Sequence, residues 1–87
     1  MRAWIKDALS QVKTKEQLQG MLQELCGPYG PIVTTDVSCD AVKPGQVMCT
    51  IRMADHPDAI SLANWLGTTI QGNDIVLTYH APTDFRC

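Results

Sequence analysis

A surplus of basic residues is missing from this chain. Seven Lys and Arg stand against nine Asp and Glu, giving a formal net charge of −2 and a pI near 5.4. Proteins that bind nucleic acid tightly usually carry a basic field, so strong nonspecific affinity for phosphate is not expected. Aromatic residues are scarce as well, at 6% of 87 residues. No apolar run approaches the roughly 20 residues of a membrane-spanning helix. No pattern of basic stretch, apolar core and cleavage site opens the chain. The expectation is a soluble intracellular protein, in the cytoplasm, with no membrane partner.

Metal and catalytic signatures are lacking too. None of the four cysteines, Cys26, Cys39, Cys49 and Cys87, forms a C-x-x-C pair, and the two histidines complete no zinc-ligand spacing. Without a secretory pattern to imply an oxidising compartment, four reduced thiols are expected. There is no nucleophile elbow, phosphate-binding glycine loop or H-E-x-x-H. Asp36, Asp40, Asp55 and Asp58 are scattered where turns and caps use aspartate anyway. Neither an enzyme, a metal nor a small-molecule cofactor is expected.

What remains is a well-patterned chain. With 45% hydrophobic and 18% charged residues it has a globular composition, and its length suits one domain, residues 1–81, followed by a loose tail, 82–87. Val47, Cys49, Ile51 and Met53 alternate with Met48, Thr50 and Arg52, a period-2 strand with one apolar face. Pro57 suits a first helical turn. Ala59, Leu62, Ala63 and Leu66 follow at helical spacing until Gly67 stops the run. Asn73 to His80 alternates again, with Ile75, Leu77 and Tyr79 on one side. Upstream, Thr14 and Gln17 form a capping pattern for a helix striped by Leu18, Met21, Leu22 and Leu25. The run from Gly27 to Pro31 ends that helix, Ile32 to Cys39 reads as a strand, and Pro44-Gly45 turns the chain back antiparallel. Residues 1–12 fit two patterns. Trp4, Ile5, Ala8, Leu9 and Val12 suit an amphipathic helix, whereas Ala3 to Lys6 also alternates as a strand.

Several of these signals, taken together, resemble the RNA recognition motif family. Asp58-Ala59, Leu62-Ala63, Leu66-Gly67, Ile70 and Gly72-Asn73 look like the family's second helix and the turn after it. Thr14 to Leu18 is similar to the start of its first helix, and Tyr29-Gly30-Pro31-Ile32 to the start of its second strand. The resemblance implies an α+β, ferredoxin-like βαββαβ sandwich, a four-stranded antiparallel sheet with two helices on one face. Residues 3–8 would be the first strand, placing Trp4 on the open sheet face. The chain departs from the family at the longer RNP signature, K/R-G-F/Y-G/A-F-V-x-F/Y. Gln46-Val47 replaces its opening, and Met48 and Thr50 stand where base-stacking aromatics belong.

The implied function is weak binding of single-stranded RNA on that face. Trp4 would stack on a base, Lys6 and Arg52 would meet phosphates, and Met48, Thr50, Thr78 and His80 would line the surface. Against this, the acidic total and the lost aromatics favour an ordinary solvated face. The rival reading is a protein-interaction module on the same scaffold, a homodimer included, contacting partners through sheet edges or helix faces. Trp65 is expected to cover the edge of its own core.

Overall fold

The computed structural model describes residues 2–39 and 43–86. In chain order it contains α1 (Ala3–Ser10), α2 (Lys15–Cys26), a 3-10 turn (Gly27–Tyr29), β1 (Ile32–Cys39), β2 (Gln46–Met53), α3 (His56–Leu66), β3 (Thr69–Gln71) and β4 (Asp74–His80). The four strands form one sheet in the order β1-β2-β4-β3, every neighbouring pair antiparallel. The protein is therefore α+β, with three helices among the described residues rather than the two expected.

The opening segment is where this structure leaves the expected βαββαβ order. Residues 3–8 form no strand; they belong to α1. Ile5, Leu9 and Val12 are all buried in the core; the spacing of four brings Ile5 and Leu9 to one face of α1, and Val12 follows just past its end. A strand would have carried only Ala3 and Ile5 inward. The fourth strand is instead β3, which pairs with β4 through Thr69↔Val76 and Gln71↔Asp74. Gly72, at φ 61, makes the tight turn between them. Beside Arg52, where the resemblance implied residues 3–8, lies β4, in register Arg52↔Asp74.

The other elements follow their sequence signals. Thr14 caps α2 by accepting from the Gln17 N–H at 3.1 Å, and the Gln17 Oε1 accepts from the Lys13 N–H at 3.1 Å. Gly67 ends α3 in the left-handed conformation, φ 70. Val47, Cys49, Ile51 and Met53 share one core with Ile75, Leu77 and Tyr79, with Leu18, Leu22 and Cys26 of α2, and with Ala59, Leu62, Ala63 and Leu66 of α3. All three helices thus cover one sheet face. Burying a Leu or Ile side chain contributes about 1.5–3 kcal/mol, so this one layer carries most of the folding energy.

The tail is tied down rather than loose. Phe85 packs against the core, the Arg86 N–H donates to the Lys13 carbonyl at 2.8 Å, and the Lys15 N–H donates to the Arg86 carbonyl at 3.1 Å. The cysteines differ from expectation in one respect. Cys26 and Cys49 are free and buried, but Cys39 is disulfide-bonded, so the expected set of four reduced thiols does not hold. Cys87 lies outside the described residues, as does Asp40.

Candidate interaction surface

The sheet face away from the helices collects the even-numbered residues of β2 and β4. Met48, Thr50 and Arg52 lie beside Thr78, Val76 and Asp74, with His80 opposite Gln46. Thr34, Asp36 and Ser38 extend it on β1. Of the residues expected to form an RNA platform, Met48, Thr50, Arg52, Thr78 and His80 do share this face. Trp4 does not. It sits on α1, on the helix side, with its ring centroid 4.7 Å from that of Trp65; the Tyr29 ring also meets Trp65, at 4.9 Å. Trp4 is 39% exposed, but it offers no stacking surface to anything on the open face. Lys6 also comes from α1, although it lines a cleft with Gln46, Thr78, Tyr79 and His80.

The electrostatics of the open face are close to neutral. The Arg52 guanidinium donates to both carboxylate oxygens of Asp74, at 2.8 and 3.2 Å. This pairing raises the Arg52 pKa and holds the Asp74 carboxyl below its ordinary value. Arg52 is thus already engaged, and Asp36 adds a further negative charge. A strand of RNA would have to displace Asp74 to reach the Arg52 guanidinium. Among the described residues, no three His, Cys, Asp or Glu side chains cluster to hold a metal ion. No helix among the described residues is long and apolar enough to cross a membrane.

The backbone at the sheet edges is more distinctive than the face. The Ala81 N–H donates to the Gly45 carbonyl at 2.9 Å, and the Met53 N–H donates to the Asn73 carbonyl at 3.0 Å, at the two ends of the β2–β4 ladder. In an antiparallel pair such bonds recur at every second residue. The odd-numbered residues of β2 therefore direct their backbone groups to β4, and the even-numbered ones direct theirs to β1. It follows that Thr34, Asp36 and Ser38 bond to β2, while Thr35 and Val37 turn their N–H and C=O groups outward. A contact from α2 fits this phase: Gln19 Nε2 donates to the Thr35 carbonyl at 3.2 Å. Beyond it, no strand pairs with the outer edge of β1 among the described residues. Val33 stands at a β-bulge on this edge, 59% exposed.

Comparison with family models, with curated proteins and with solved structures finds no match for this chain. Its surface must be read from its own geometry.

Two buried hydroxyls have no partner among the described residues, Thr35 Oγ1 and Tyr79 Oη. Tyr79 faces inward with Ile75 and Leu77, as its spacing predicts, but its hydroxyl is enclosed rather than at the rim. Burial, with the nearby Cys49 thiol, pushes its pKa up to about 12. Burial likewise raises Cys26 to about 11 and Cys49 to about 12, so neither thiol is a nucleophile at neutral pH. Sequence reasoning missed β3 and, with it, the identity of the sheet edges. A signal was present: Thr69-Ile70-Gln71 followed by Gly72-Asn73 is a short strand and a two-residue turn.

Proposed function

We propose that this chain is a protein-interaction module that works by strand pairing along the outer edge of β1, with a second copy of itself as partner. The observation that carries this reading is the character of that edge. It is eight residues long, Ile32–Cys39, with Asp36 as its one charged side chain and no proline. Native proteins usually protect such edges with lysine, proline or short length. Here the edge has none of these, only a bulge at Val33 and the Gln19 side chain at the Thr35 carbonyl. Antiparallel pairing with a second copy about a two-fold axis must keep Asp36 from facing its own symmetry mate. Centring the axis on Thr35 does so, because Asp36 then lies opposite Thr34. The same register brings the exposed Val33 of each copy opposite Val37 of the other. The Thr35 N–H of the second copy then takes the place now held by the Gln19 amide.

Sedimentation velocity over a range of concentrations tests this reading. We expect the mass to rise from one chain to two as concentration increases. Val33→Lys should hold the protein at one chain with an unchanged melting temperature, since Val33 is exposed. A single-chain mass at every concentration would overturn self-pairing.

Weak binding of single-stranded RNA is the second reading. Its support is the sharing of one face by Met48, Thr50, Arg52, Thr78 and His80. The Arg52–Asp74 pair and the placement of Trp4 put it behind the first. Kinship with the RNA recognition motif belongs with it: between residues 14 and 80 the helix, two strands, helix and last strand follow the family's order. On that basis the chain is a rearranged ferredoxin-like domain, with a helix in place of the first strand and β3 completing the sheet.

A further inference from the structure

The far end of β4 carries a second docking feature, on the opposite edge of the sheet. β3 covers β4 only from Asp74 to Val76. Leu77 and Tyr79 direct their backbone groups to Cys49 and Val47 of β2. By the same alternation, Thr78 and His80 turn theirs the other way, to an edge where no strand pairs among the described residues. A cleft of about 340 Å³ lies there, lined by Lys6, Gln46, Thr78, Tyr79 and His80. Among the described residues no Asp or Glu lines it, and Lys6 belongs to neither ion pair.

We propose that this end of β4 takes an extended acidic segment of a partner protein. The segment continues the line of β3, pairs its backbone with Thr78 and His80, and sets a carboxylate against Lys6. Open backbone groups two residues apart fit an added strand. An ammonium with no ion-pair partner in the cleft selects negative charge on that strand. Gln46 and the Thr78 hydroxyl add polar contacts beside it. The stretch is short, because Pro82 follows two residues after His80 and has no N–H to extend the ladder. RNA fits this edge less well, since one cation and no exposed aromatic ring would hold it. The site is independent of β1, so its failure leaves the self-pairing reading standing.

The probe is a fluorescein-labelled hexapeptide of alternating valine and glutamate, titrated at low salt and followed by fluorescence anisotropy. We expect saturable binding that weakens as salt rises. It should fall at least tenfold in Lys6→Glu and again in Thr78→Pro, which removes an N–H that β2 does not use. Binding should persist in Val33→Lys, where the β1 edge is blocked. Lys6 is exposed, so Lys6→Glu remains informative if Thr78→Pro fails to fold. The proposal is overturned by the absence of saturable binding, by equal binding of a valine–lysine hexapeptide, by an unchanged affinity in Lys6→Glu, or by loss of binding in Val33→Lys.

Discussion

Arg2 closes the C-terminal end of α3 through Trp65. Its Nε donates to the Trp65 carbonyl at 2.8 Å, its Nη2 reaches the Asn64 carbonyl at 3.1 Å, and its backbone N–H donates to the Leu66 carbonyl at 3.2 Å. The last carbonyls of a helix have no partner within it and sit at the negative end of its dipole. A guanidinium fork satisfies both needs, and it ties the start of the chain to a helix more than sixty positions away.

Arg2→Ala should therefore lower stability by about 1 kcal/mol, the scale of an exposed charged bond at a helix terminus. In a domain of this size that is a fall of about 4–8 °C in melting temperature. Arg2→Lys should recover only part of it, because lysine keeps the charge but not the fork. Gly67→Ala should cost more than Arg2→Ala. Alanine at φ 70 is strained by about 1–2 kcal/mol, and its Cβ would lie 2.9 Å from Arg2 Cγ. Thermal unfolding followed by circular dichroism reads all three variants.

The buried thiols set the alkaline limit. In the unfolded chain Cys26 and Cys49 ionise near their ordinary value of 9.0, whereas the fold keeps them protonated to about 11 and about 12. A group whose folded pKa is raised stabilises fully below the unfolded value and loses that contribution as pH rises. Stability should hold up to about pH 9 and decline from there toward 12. Cys49→Ala should lessen the slope of that decline, measured by urea denaturation at several pH values. At neutral pH, iodoacetamide should label Cys26 and Cys49 only in denaturant.

Acid acts through Asp74. The hydrogen bond from Arg52 holds its carboxyl below the ordinary value of 3.8, so the pair stabilises the fold above that pH. The contribution is lost as pH falls through the lower folded value. Asp74→Asn should remove this component of the acid limb while leaving the alkaline one unchanged. The pair is largely solvated, and the effect should shrink as salt is added.

Much of the fold was legible because each large element had a period and a stop. α2 had Thr14 and the Gly27–Pro31 break, α3 had Pro57 and Gly67, and β2 alternated without exception. The opening dozen residues were harder, since Ile5 is inward in either pattern. What decides between them is Leu9 and Val12 reaching the same core as Ile5, a tertiary fact that local alternation does not contain. The short β3 was hidden because three residues carry too little periodicity to stand out. Missing it concealed which part of β4 is left unpaired. Of the seven residues expected on one binding face, the five from strands lie together. Trp4 does not join them because its position depended on the first strand, and Lys6, coming from α1, meets only Thr78 and His80 across a cleft.

Amide hydrogen exchange at Val37, measured against its neighbour Asp36, tests edge pairing most directly. The Asp36 N–H belongs to the ladder with β2 and should exchange slowly at any protein concentration. The Val37 N–H faces outward, and it should exchange fast in dilute solution and become protected as concentration rises. Exchange at Val37 that stays equally fast across the whole range would contradict strand pairing at β1.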